Sequence, residues 1–148
     1  QLKVNNSTID KAWSLSSFKA GLNEPSRYVS GVERIHLYDA KGIMLMELLE
    51  TDSINRVVHA IRTYLSHPIE GDENRTTGLF TGTIRIDKTA ITVNMTPDQV
   101  KNALSSWTVS DKYEKYSVKL AKDGMIIFIQ YNEPRTKIEF ISIWQAHK

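Results

Sequence analysis

The side chains best suited to chemistry in this chain are four histidines, His36, His59, His67 and His147, and their spacing does not suit a site. A helical metal site needs donors one turn apart, as in His-x-x-x-His, and a metalloprotease adds an acid between them; neither pattern occurs. Ser16 and Lys19 match Ser-x-x-Lys, the spacing of one class of serine nucleophile and base, but the companion motifs are missing and a helix turn explains the pair. There is no Gly-x-Ser-x-Gly, no phosphate-cradling Gly-x-x-x-x-Gly-Lys-Ser/Thr and no Gly-x-Gly-x-x-Gly. Glu70, Asp72 and Glu73 form the densest acidic group, yet they lack the ligand order around a sharply turning glycine that an EF-hand requires. The sequence therefore assigns no catalytic residue, no metal ligand and no cofactor.

Aromatic side chains suggest binding instead, because large rigid groups bury much area at little entropic cost. Leu79 and Phe80 stand between glycines at 78 and 82, at the end of a long polar connection. Trp107, Tyr113 and Tyr116 bracket the polar link 108–115. Leu79, Phe80, Trp107 and Tyr113 are thus the candidate partner-binding residues, with the edge of a core as the competing role for Trp107 and Tyr116.

The elements that must position these residues follow from hydrophobic spacing. A helix is expected over 8–20, with Ile9, Ala12, Trp13 and Ser16 at helical intervals. Strands are expected over 32–38 and 43–49 around Asp39-Ala40-Lys41-Gly42. Ile54, Val57, Val58, Ile61, Tyr64 and Leu65 form an apolar stripe that predicts a second helix, stopped by His67-Pro68. Residues 69–82 are expected to be a long polar connection, and a short hairpin should turn at Asp87-Lys88. Thr96-Pro97-Asp98-Gln99 is a capping box with proline at the first helical position, and it should start a helix whose stripe is Val100, Ala103, Leu104 and Trp107. Strands over 116–120, 125–131 and 137–144 complete the chain, joined at Asp123-Gly124 and Asn132-Glu133-Pro134-Arg135. The expected fold is one α+β domain over 1–148: an antiparallel sheet with two or three helices packed mainly on one face, in two layers. A loose strand-pair-then-helix order in 32–66 and 83–107 hints at duplication.

Composition narrows the classes of function. The 148 residues contain no cysteine, which excludes disulfides and thiolate sites. The net charge is only +2, with eight Lys/Arg against ten Asp/Glu in 1–74 and eleven against seven in 75–148. That lacks the concentrated basic face of a nucleic-acid binder. No apolar run approaches the roughly 20 residues of a membrane span. The chain opens at Gln1 on a polar stretch, 1–7, expected to be a flexible tether behind a removed leader or lipid anchor, although trimming of the chain would produce the same start.

Residues 91–143 resemble the small bacterial outer-membrane lipoproteins of the BamE/SmpA type. The likeness rests on Ile91 to Val100, with Met95-Thr96-Pro97-Asp98-Gln99-Val100 entering a short helix, then Leu104, Tyr116, Asp123 to Phe128 and Ile138 to Ile141. Ser105-Ser106 departs from the pattern, which has Gly and a nearby Pro there. The resemblance implies an envelope protein that works by contact, periplasmic or outer-membrane-anchored and bound to an envelope component; small size, the missing leader, the lack of a catalytic motif and the long central connection suit a partner that is a toxin or a hydrolase. The expected function is a non-catalytic immunity or inhibitor protein, or alternatively a structural lipoprotein module. A dispersed active site is the third possibility.

Overall fold

A computed structural model describes residues 1–22, 26–28, 35–38, 43–52, 57–66, 76–77, 79–110 and 115–145. The chain is mainly β. It begins with a hairpin, β1 (Leu2–Val4) and β2 (Ser7–Thr8), followed by helix α1 (Leu15–Leu22) and strands β3 (Ser26–Tyr28), β4 (Ile35–Tyr38), β5 (Ile43–Asp52) and β6 (Val57–Tyr64). After the short β7 (Thr76–Thr77) come a second hairpin, β8 (Ile84–Ile86) and β9 (Thr89–Ile91), then helix α2 (Pro97–Ala103) and strands β10 (Thr108–Ser110), β11 (Ser117–Lys122), β12 (Met125–Tyr131) and β13 (Ile138–Gln145). The hairpins form a four-stranded sheet ordered β2-β1-β8-β9. The remaining strands form a nine-stranded sheet ordered β10-β11-β12-β13-β6-β5-β4-β3, with β7 parallel to β5 off that path.

Among the described residues, two antiparallel sheets and two short helices thus stand where one sheet with two or three helices is expected. The largest correction is the predicted helix over 54–65, whose described part is the strand β6. Val58 and Ala60 add a spacing of two to its spacings of three and four, and β-branched Val57, Val58, Ile61 and Thr63 favour an extended chain. A central strand is covered on both faces, so its sequence loses the clean alternation that marks a half-exposed one. Residues 1–7 are no tether: Leu2 and Val4 are buried in β1, 2% and 0% exposed. The predicted helix over 8–20 starts seven residues later, at Leu15, because β2 and a turn occupy its first half. The segments 39–42 and 53–56, the long connection over 67–75 and Tyr113 lie outside the described residues.

The capping box at Thr96 forms as its sequence dictates. Thr96 Oγ1 accepts from Gln99 N at 3.3 Å, and Gln99 Oε1 accepts from Thr96 N at 2.9 Å. Helix α1 starts similarly, with Ser17 N donating to Ser14 Oγ at 3.3 Å. Asp10 in turn accepts from both the amide and the hydroxyl of Ser14. The hydroxyl bond, then the amide bond, holds the Asp10 carboxyl below its ordinary range.

The order hairpin, helix, four strands therefore occurs twice, and the repeat units are 1–66 and 83–145 rather than the 32–66 and 83–107 that the sequence suggests. Between residues 1–22 and 83–104 the correspondence is residue by residue. Asn5 and Asp87 hold the same turn position, with φ of 54° and 55°. Leu2, Val4, Ile9 and Phe18 are matched by Ile84, Ile86, Ile91 and Val100, and all eight are buried. Residues of both repeats join in one hydrophobic core.

Gly82 marks a tight crossing between the repeats. A Cβ there would lie 2.2 Å from Asn5 Oδ1 and 2.5 Å from Phe80 Cζ. Asn5 cannot easily yield, since it donates to Gly21 O at 2.9 Å and accepts from Thr83 N at 3.0 Å. Gly82→Ala is expected to cost about 1–3 kcal/mol in urea denaturation, through overpacking. Tyr131, 1% exposed, carries a hydroxyl with no hydrogen-bond partner among the described residues, and burial pushes its pKa well above the ordinary value. Tyr131→Phe should therefore be neutral or stabilise by up to about 1 kcal/mol in the same assay. The Asp10 contribution is fully present above the ordinary carboxylate range and is lost as pH falls through its lowered folded pKa. An NMR titration of Ser14→Ala should show the Asp10 midpoint move up.

Candidate functional site

The strand registers divide the large sheet into two chemically different faces. On one face Ile61, Ile143, Ile127 and Leu120 lie in register across β6, β13, β12 and β11. Thr63, Ile141, Ile129 and Val118 form the next row, and every member of both rows is at most 3% exposed. These rows belong to the common core except for Thr63, a buried hydroxyl among them.

The alternate residues of the same strands point the other way and are dominated by rings. Tyr64, Phe140 and Gln130 are in register, as are Arg62, Ser142, Phe128 and Lys119, and then Ala60, Trp144, Ile126 and Ala121. Phe140 stands at the centre of the aromatic group. Its ring is 5.9 Å from that of Tyr64, edge-on at 60°, and 6.1 Å from that of Phe128. Tyr64 and Phe140 form a cluster separate from the main core. Phe140, Phe128, Trp144 and Ile126 are each half-buried, so the rings are packed enough to be rigid and exposed enough to touch another molecule.

Arg62 organises this face. Its guanidinium lies 4.8 Å from the centroid of the Phe140 ring, within cation–π range, and its Nε donates to Ser142 Oγ at 2.8 Å. Ser142 is fully buried, so the arginine supplies the partner that its hydroxyl needs. On this face Arg62 and Lys119 carry charge, and the row of Arg62 continues in register through Glu47 of β5, His36 of β4 and Arg27 of β3.

The residues picked out from sequence are distributed differently. Phe80 and Trp107 are core members, 6% and 5% exposed, and cannot form a gripping surface themselves. Phe80 N donates to Tyr64 O at 2.7 Å, which brings the long connection back to the end of β6. Trp107 Nε1 donates to Asp87 Oδ2 at 3.2 Å, tying the end of α2 to the second hairpin. Leu79 is exposed, at 40%. Sequence reasoning missed Tyr64, Phe128, Phe140 and Trp144, although the alternation in Ile126-Ile127-Phe128-Ile129 and Phe140-Ile141-Ser142-Ile143-Trp144 carries the signal: apolar residues at every position but Ser142, with rings on one parity only.

A polar cleft of about 260 Å³ opens beside α2, lined by Thr96, Asp98, Lys101, Lys115, Ser117 and Arg135 among others. It contains no histidine and no paired carboxylates. No group of three or more His, Asp or Glu able to hold a metal occurs among the described residues. His59 is half-buried in β6, and His67 and His147 lie outside the described residues.

Fold and face together define a class: a duplicated, mainly β protein with an aromatic sheet face. The chain belongs to the family described as a domain of unknown function (DUF7738), whose match covers residues 1–101. That span takes in the first repeat and the hairpin and most of the helix of the second. No curated protein matches the chain, and no solved structure does either.

Arg62 and Ser142 yield a thermodynamic prediction. Arg62→Leu leaves the Ser142 hydroxyl buried without a partner and should destabilise by about 1–3 kcal/mol. Adding Ser142→Ala should recover part of that loss, measured as a coupling energy in a double-mutant cycle.

Proposed function

We propose that this chain is a non-catalytic protein-binding domain that holds its partner against the aromatic face of the large sheet. In this reading the partner meets the large sheet where Phe128, Phe140, Trp144 and Ile126 are half-buried, beside the part of β6 that is covered on both faces. The observation that carries the proposal is the half-buried Phe140–Phe128 pair, backed by the buried Tyr64, with Arg62 stacked on Phe140 and the half-buried Trp144 and Ile126 beside it. Tyr, Trp, Phe and Arg are the residues that concentrate at protein interfaces and carry most of their affinity. Strand positions also hold such groups more firmly than a loop does, which lowers the ordering cost of association.

The partner class that fits is a toxin or hydrolase whose working surface is occluded, which makes the chain an immunity or inhibitor protein. A broad, firm sheet face suits blocking another protein. The second reading, a structural module of an envelope complex, draws on the likeness of 91–143 to BamE/SmpA lipoproteins, whose capped helix has its counterpart at Thr96. An envelope location rests on the same likeness.

The test is capture from the native organism with wild-type bait beside Phe128→Ala and Trp144→Ala. The substitutions should weaken a captured partner by at least about tenfold, roughly 1.4 kcal/mol each, while the circular dichroism spectrum stays unchanged. Inhibition of that partner's activity by the wild-type chain, and not by the variants, selects the inhibitor reading over the structural one. Equal binding by all three baits would sink the proposal.

A further inference from the structure

We infer that the chain is a covalently joined pseudo-dimer, in which each repeat offers two pairing edges that fit a second copy of such a unit. The inference is independent of what the aromatic face binds. It rests on how the repeats meet. They are in register at two strand pairs, β1 with β8 and β6 with β13, and both pairs are antiparallel matches of strands that hold the same place in the two repeats. Antiparallel pairing of like strands is what a twofold axis produces, with one patch serving both sides.

The hydrogen bonds beyond the strand ends repeat the symmetry atom for atom. Asn5 N donates to Thr83 O at 2.7 Å, and Asp87 N donates to Gln1 O at 2.7 Å. Thr83 N donates to Asn5 Oδ1 at 3.0 Å, and Gln1 N donates to Asp87 Oδ1 at 2.9 Å. Thr83 opens the second repeat as Gln1 opens the first. Each repeat also ties its own seam strand to the segment that precedes its helix: Val58 N donates to Trp13 O, and Ile138 N donates to Val93 O, both at 2.8 Å. Neither seam depends on which repeat comes first along the chain. The connection over 67–82 adds β7 beside β5 and Phe80 to the core, but both seams are closed by strands of the repeats alone, and a twofold relation makes the span from the end of either repeat to the start of the other the same.

The consequence is that the order of the repeats can be reversed. A chain running 83–148, then 67–82, then 1–66 contains each of residues 1–148 once and is expected to be a monomer with one cooperative unfolding transition. Its amides in β1, β8, β6 and β13 should be protected from hydrogen exchange to within about a factor of ten of the natural order. If that junction prevents folding, a second version with a Gly/Ser connector of twice the length decides the matter: protection at both seams supports the inference, and failure of both versions overturns it. The natural chain with a protease site at 69–74 gives an independent reading. After cleavage the two pieces should remain a 1:1 particle by native mass spectrometry, and their separation overturns the inference.

Discussion

The pairing of β6 with β13 is the constraint on which the other features depend. It joins Ala60 to Trp144 and Tyr64 to Phe140, and it places Ile61 and Thr63 in register with Ile143 and Ile141. Without it each repeat would present an uncovered strand edge, with its unpaired amides and carbonyls, and half of a core. With it, one apolar layer runs from β6 through β11, and apolar burial of that extent is the main favourable term in folding. The hairpin sheet makes the second joint, through β1 and β8, so the repeats are held along two separate lines.

The same pairing creates the aromatic face. Side chains alternate across a strand, so a register that buries Ile61, Ile143 and Ile127 must send Arg62, Ser142 and Phe128 to the other side. A slip of one residue would exchange the two sets and put a guanidinium in the core. The face is composite, with Arg62 and Tyr64 supplied by the first repeat and Phe128, Phe140 and Trp144 by the second. Stability and binding surface therefore share one cause.

The repeats have also diverged in ways that can be stated physically. At the hairpin turn Asn5 and Asp87 both adopt positive φ, which their short polar side chains tolerate, and both accept from a backbone nitrogen of the facing repeat, Thr83 N for Asn5 and Gln1 N for Asp87. Beyond that shared role they differ. Asn5 also donates to Gly21 O, whereas Asp87 accepts from Trp107 Nε1 and lies 3.6 Å from Lys122 Nζ. Trp13, at φ 53° and 4% exposed, occupies the place of Met95 and packs edge-on against Phe18 at 5.5 Å. Both core positions before the helices are filled, by residues of very different shape.

The sequence by itself determined what depends on neighbours along the chain. The capping box at Thr96, the turn at Asp123-Gly124, the hairpin at Asp87-Lys88 and the strands β11, β12 and β13 all follow from local chemistry and alternation, and the lack of any motif for making or breaking bonds is equally local. Contact between segments far apart decided the rest. Val57, Val58, Ile61 and Tyr64 fit a helical stripe as well as a strand, and only the two partners β5 and β13 make them extended. Residues 1–7 read as polar until β8 supplies the edge that buries Leu2 and Val4. The duplication stayed faint because its halves share side-chain size and burial more than identity, as with Leu2 and Ile84 or Phe18 and Val100. Phe80 and Trp107 looked like surface anchors because of their polar neighbours, and tertiary packing took them inside. The rings of Phe128 and Phe140 became a face only when the register placed them side by side, since the side a strand residue points to is set by the strand it pairs with.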